Sequence, residues 1–349
     1  MGIAKFDPRE LDGKRPLNGH DHGVAVFSRK PWWQMTQAVD ARMFTPRIIP
    51  DNVSRAFCYE GGAPFDAETE GGGPDMFGIE WEYVPQVGGS MVRPGKPFLE
   101  DISEWREKLV WPDIEKWDWE GSAKLNNGTY LTPDNFNQMW FQTGWYERLI
   151  SFMDFEGAVV AIFDEDTQPE VHALFDKLTD LYISIFDKAI KTFPEIHAFF
   201  IHDDWGSQKA PFFSPAVAEE MLVPYMRRLT DFLHSKGKFC ELHSCGNIIQ
   251  QVPNMIAAGW DAWAPQLMND SHKIYELYGD KLLIAAFPQD MPENFDALPE
   301  AEQRKYAREY ADEYCRPDKP SFYNFYAAHF LTPAFREELY IRSRENYSK

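Results

Sequence analysis

Ala198-Phe199-Phe200-Ile201-His202 is a short apolar run bounded by polar residues, the pattern of a buried strand. Ser214-Pro215 then opens an amphipathic segment that runs through Met221, Tyr225, Leu229 and Phe232 until Gly237 closes it. Phe239-Cys240-Glu241-Leu242-His243 follows as a second strand. The unit repeats outward in the C-terminal direction. A helix over 248–258 is stopped by Gly259, and Asp261-Ala262-Trp263-Ala264 reads as a strand. Next come a short helix over 273–278, a strand at Leu282-Leu283-Ile284-Ala285-Ala286, a helix over 299–314, and a last strand with its loop over 322–330. In the other direction, Ala158-Val159-Val160-Ala161-Ile162-Phe163 is a strand or part of a helix, and Thr167-Gln168-Pro169-Glu170 opens a long amphipathic helix. Such alternation is the signature of a parallel α/β fold.

Strand order alone does not separate an open sheet from a closed barrel. A length of 349 residues suits one (β/α)₈ TIM barrel with insertions, and a single domain over 1–349 is the expectation. Residues 1–150 would carry N-terminal elaborations and the early barrel elements. They are irregular, with loop signals at Glu60-Gly61-Gly62-Ala63-Pro64 and Gly71-Gly72-Gly73-Pro74, and an early strand with its flanks within Met76–Val84.

The formal charge of −20 argues against nucleic acid and against an anionic membrane surface as partners. Cys58, Cys240, Cys245 and Cys315 are too few for a disulfide scaffold. Neither a signal-peptide pattern nor a run of about 18 apolar residues occurs. The expected compartment is a reducing cytoplasm, where the sequons Asn52-Val53-Ser54 and Asn127-Gly128-Thr129 are chance matches. The aromatic content of 15% is high enough to line a pocket for a flat organic molecule as well as the core.

On a strand, alternate residues share a face, so Glu241, His243 and Cys245 point the same way. They sit where a strand hands over to a helix, the end at which parallel α/β folds place their sites. Imidazole and thiolate are ligands that zinc prefers. A third ligand is sought among Gln266, Cys315 and His329. His329 is preferred because it closes the aromatic run Phe322–Ala328 in a strand-end position, whereas Cys315 follows a helix. A second cluster, His202-Asp203-Asp204-Trp205-Gly206-Ser207-Gln208, puts polar and acidic groups directly after an apolar strand, where burial is costly without partners. Glu80 and Glu82 are expected at the surface. Gly-rich phosphate loops, GxSxG and HExxH are absent.

Asp203-Asp204-Trp205-Gly206-Ser207-Gln208, Pro211, Ser214-Pro215, Pro224, His234 and His243-Ser244-Cys245-Gly246-Asn247 resemble the uroporphyrinogen decarboxylase superfamily, and most closely its corrinoid-linked methyltransferase branch. The resemblance spans most of the chain and is strongest over 198–265. It implies a (β/α)₈ barrel. Decarboxylases carry Met-Arg-Gln-Ala-Gly-Arg near the N-terminus, whose arginines hold substrate carboxylates. In the matching stretch here, Pro31–Asp40, Thr36 and Asp40 stand where arginines are required, which argues against that reaction.

The methyltransferase branch holds zinc through a His-x-Cys pair and a later Cys, with a Glu in some relatives. His243 and Cys245 match the pair, Gln266 falls near the expected Glu, and His329 near the second Cys. An imidazole in place of a thiolate leaves the metal a stronger Lewis acid, suited to an ether oxygen. The resemblance therefore implies a zinc-dependent O-demethylase component. It would move a methyl group from a methoxylated aromatic compound to the cob(I)amide of a partner corrinoid protein (cobalamin chemistry), with His202 and Asp204 orienting substrate or protonating the leaving oxygen. The alternatives are a methylcorrinoid:thiol methyltransferase and a uroporphyrinogen decarboxylase-like tetrapyrrole enzyme or binding protein.

Overall fold

A computed structural model of the chain describes residues 3–51, 59–86 and 88–349, apart from the side chains of residues 59, 67 and 68. Cys58 and the sequon at residues 52–54 lie outside the described residues. The strands are β1 (Ala41–Phe44), β2 (Tyr59–Glu60), β3 (Ala63–Pro64), β4 (Gly73–Pro74), β5 (Glu80–Val84), β6 (Gly89–Val92), β7 (Phe136–Phe141), β8 (Ile196–His202), β9 (Phe239–Ser244), β10 (Ala262–Pro265), β11 (Leu283–Ala286) and β12 (Ser321–Tyr323). The α-helices are α1 (Gly19–Phe27), α2 (Gln37–Asp40), α3 (Ala67–Glu70), α4 (Trp105–Lys108), α5 (Trp119–Asn126), α6 (Trp145–Phe163), α7 (Gln168–Thr192), α8 (Pro215–Met221), α9 (Val223–Ser235), α10 (Val252–Ala257), α11 (Ser271–Tyr278), α12 (Glu300–Tyr314) and α13 (Pro333–Tyr347). Among the described residues no helix is long and apolar enough to cross a membrane.

The chain divides into two compact units: Met1–Arg42 with Pro133–Phe136 and Asp261–Lys349, and Met43–Thr132 with Asn137–Trp260. In the second unit β7, β8 and β9 pair in parallel, and α6 and α7 lie between the first two of them in the chain. This is the α/β alternation expected from the sequence. The run 158–163 resolves as helix, the last turns of α6. Ala158, Ala161 and Ile162 are buried there, while Val160 and Phe163 are exposed. The early strand near Glu80 is β5, but it pairs antiparallel with β4 and β6 rather than joining a parallel sheet. Glu80 and Glu82 are exposed, as expected.

In the first unit β10, β11 and β12 pair in parallel, and Thr36 makes a parallel bridge to Tyr323. A polar core organises this bridge. The Gln34 amide donates to Tyr310 Oη at 3.1 Å and Ser321 Oγ at 2.9 Å, and accepts from Tyr347 Oη at 2.9 Å. The final segment read as strand plus loop is β12 followed by a 3₁₀ helix, Phe325–Phe330.

Arg344 on α13 is fully buried and forks onto Glu10, Nε to Oε2 at 2.9 Å and Nη2 to Oε1 at 3.0 Å, while Tyr340 Oη donates to Oε2 at 2.5 Å. Glu10→Ala leaves a buried guanidinium unpaired and is expected to cost about 3–5 kcal/mol. Burial raises the pKa of Glu10, but the bonds from Arg344 and Tyr340 outweigh it and hold the carboxyl below its ordinary value. A depressed carboxylate contributes stability that is present above its unfolded pKa and lost as pH falls through the folded one. The wild-type advantage in urea unfolding should therefore persist at neutral pH and shrink below about pH 4.3. A pH-independent difference would show that the ion pair is not its source.

Candidate metal centre

His202 ends β8, His243 sits one residue before the end of β9, and the parallel register sets them side by side. Alternation puts Phe200 and His202 on one face with Glu241 and His243. The rings stack in a column: Phe200 on His243 with centroids 5.8 Å apart, and His243 on His202 at 5.0 Å. Below them the Gln138 amide of β7 donates to Glu241 Oε2 at 2.6 Å. Both imidazoles are buried, at 6% and 2% exposure, so their ring nitrogens can be satisfied only from within the site.

Beyond β8 the two aspartates part. Asp203 turns to α6, whose N-cap, Gly144, has no side chain to offer. Its carboxylate accepts from Glu147 N at 2.9 Å, Tyr146 N at 3.3 Å and Trp205 Nε1 at 3.0 Å, capping the helix from a neighbouring strand. A Cβ at Gly144 would fall 2.5 Å from that of Asp203, so glycine is what lets the helix start so close. This fixes Glu147, in the first turn, with Oε2 2.7 Å from His202 Nδ1. Asp204 turns the other way. Its Oδ1 accepts from Cys245 N at 2.6 Å and lies 3.3 Å from His202 Nε2.

Cys245 Sγ completes the group, 3.4 Å from His243 Nε2 and 3.9 Å from His202 Nε2. One ligand atom from each of His202, Asp204, His243 and Cys245 lies within 4.8 Å of all the others. Tetrahedral zinc with bonds of about 2.0–2.3 Å needs ligand atoms roughly 3.3–3.8 Å apart. Two of the separations quoted above, 3.3 Å and 3.4 Å, fall in that range and the third, 3.9 Å, lies just beyond it, and a nitrogen, oxygen and thiol set is one zinc accepts. The residues present therefore fit the ion.

Burial dominates the electrostatics of these groups. Burial pushes the Glu147 carboxyl up, opposed by the facing His202, and pushes Asp203 up to about 6. It pushes the Cys245 thiol up to about 12, with Asp204 adding to the rise. Burial alone would lower His202, but Glu147 and Asp204 hold its pKa well above the usual imidazole value. Cysteine and histidine bind zinc in their deprotonated forms, so metal binding here would release protons.

His202, Asp204, His243 and Cys245, all singled out in the sequence, thus come together in the second unit. His329 belongs to the first unit. It lies in the 3₁₀ helix Phe325–Phe330 rather than at a strand end, with its ring 3.9 Å from that of Phe330. That corrects the element assigned to it. Cys315 is the C-cap of α12 within an aromatic cluster, where burial raises its thiol pKa, and Gln266 directly follows β10. Glu147 was not foreseen. Its only local signal is an acidic residue three positions after a helix-opening glycine.

The uroporphyrinogen decarboxylase (URO-D) family model matches residues 153–283, a span that includes β8, β9 and the four clustered side chains. Among solved structures, a methyltransferase from Methanosarcina mazei is similar in fold. Its TM-score is 0.60 with 13% identity, over 95% of this chain and 100% of that one. Among curated proteins nothing matches.

Proposed function

We propose that this chain, whose residues 153–283 match the uroporphyrinogen decarboxylase family model, acts as a zinc-dependent methyltransferase that takes a methyl group from a methoxylated aromatic compound. The acceptor is the cob(I)amide of a partner corrinoid protein. The carbon–oxygen bond breaks with its electron pair left on the phenol oxygen. The corrinoid supplies the pair for the new bond to methyl, so no outside oxidant or reductant is needed. The convergence of His202, Asp204, His243 and Cys245 carries this proposal. The likeness in fold to a methyltransferase supports it. The finer fold, one (β/α)₈ barrel over 1–349, and a cytoplasmic location belong to the same proposal.

Zinc, when bound, supplies Lewis acidity toward an ether oxygen. His243 and Cys245 would hold it, with Asp204 beside them and His329 retained as the candidate third ligand from the sequence. His202 and Asp204 are the protein groups able to orient the substrate oxygen or hand it a proton. Decarboxylation is disfavoured by residues of the first unit. Asp40 accepts from Thr36 N at 2.6 Å and Thr36 Oγ1 at 2.7 Å, an acidic turn where that reaction would need arginines.

The test is elemental analysis of anaerobically purified protein beside His243→Ala, Cys245→Ala and His329→Ala. The expected result is about one zinc per chain, lost in the first two variants. Loss in His329→Ala as well would make that residue the third ligand. Metal-free wild-type protein that still transfers methyl groups from an aryl ether would overturn the proposal.

A further inference from the structure

We infer that Glu147 is the positioning residue of the metal centre, and that by holding His202 Nδ1 it turns Nε2 of that ring into a ligand atom. The inference rests on the metal reading above and assigns His202 a different part in it. The two nitrogens of an imidazole are not equivalent: a hydrogen bond at one decides what the other offers. Here Nδ1 faces Glu147 Oε2 at 2.7 Å, and Nε2 faces Asp204 Oδ1 at 3.3 Å and Cys245 Sγ at 3.9 Å. A carboxylate on Nδ1 fixes the proton there, leaving the Nε2 lone pair free and more basic, as metal-binding histidines require. A nitrogen so used cannot also be the proton donor to a leaving oxygen.

Glu147 is itself placed by the fold. Asp203 accepts from its backbone N–H at 2.9 Å, so β8 supplies the ring that is oriented, and the residue after it caps the helix that carries the orienting partner. The site thus has four candidate ligands within one unit, His202, Asp204, His243 and Cys245.

The experiment is cobalt(II) titration of metal-free full-length protein, following the visible d–d bands and the affinity by chelator competition. Wild type, Glu147→Ala, Glu147→Gln and His202→Ala are compared, with thermal unfolding to confirm folding. Glu147→Ala is expected to weaken cobalt binding about 10- to 100-fold and to shift the bands. His202→Ala should lose the intensity of four-coordinate cobalt. Glu147→Gln, isosteric and still an acceptor, should fall between wild type and Glu147→Ala, and it decides the matter if Glu147→Ala does not fold. Wild-type affinity and spectrum in the folded Glu147 variants would overturn the inference while leaving the metal reading intact. A wild type that takes up no cobalt would instead bring down the metal reading itself.

Discussion

His243→Ala is expected to reduce methyl transfer from an aryl methyl ether to cob(I)amide about a thousandfold, the equivalent of roughly 4 kcal/mol in the barrier. Three losses coincide at this position. The ring is 2% exposed and stacks between Phe200 and His202, its Nε2 lies 3.4 Å from Cys245 Sγ, and its removal leaves a gap in the donor cluster. The fall should appear in kcat, because the binding surface for the aromatic ring is not what has been removed. Cys240→Ala is the matched control. It lies three residues away on the same strand, yet its Sγ faces His234 Nε2 at 3.5 Å and the Gly259 carbonyl at 3.8 Å, away from the cluster. It should keep activity and the zinc held by His243 and Cys245, losing its own contacts with His234 and Gly259. Equal activity in His243→Ala and Cys240→Ala, both folded, would remove the metal from the mechanism.

β8 was legible because it is a short, largely apolar run that ends abruptly in polar residues, buried along almost its whole length. β9, which carries Glu241 and His243 within it, was legible from the helix-closing Gly237 before it and the turn at Gly246-Asn247 after it. β7 escaped for the opposite reason. Phe136-Asn137-Gln138-Met139-Trp140-Phe141 is buried at every position, but two of its residues are amides. Asn137 Nδ2 donates to the Glu195 carbonyl at 2.7 Å and Gln138 Nε2 to Glu241 at 2.6 Å, partners 58 and 103 residues away that no local pattern announces. Glu147 was hidden in the same way, since its meaning comes from Asp203 capping α6 across the fold. His329 shows the reverse failure. The aromatic run Phe322–Ala328 suggested a strand-end position for His329, but β12 ends at Tyr323, where Asn324 caps the 3₁₀ helix through a bond from Tyr326 N at 2.9 Å.

Gly246→Ala is expected to destabilise the protein by about 2–6 kcal/mol, combining backbone strain with a steric clash. Gly246 has φ +98, a conformation side chains resist, and a Cβ there would meet the Gly206 carbonyl carbon at 2.3 Å and its oxygen at 2.5 Å. Those atoms are backbone and cannot swing aside. The close approach joins the two strand-end loops, whose contact is continued by Asn247 N donating to the Ser207 carbonyl at 2.7 Å. Gly246 follows Cys245, and the Gly206 loop follows Asp204, so pushing the loops apart also separates donor atoms that the wild type holds together. Metal affinity should therefore fall along with the melting temperature. Gly237→Ala isolates the backbone contribution, since that residue has φ +69 but no heavy atom within 4 Å of the place a Cβ would occupy. It should cost only about 1 kcal/mol and leave metal binding unchanged. If the two variants unfold at the same temperature, the contact between the loops contributes nothing. If Gly246→Ala is destabilised but binds zinc as tightly as wild type, the loops support the fold without setting the geometry of the centre.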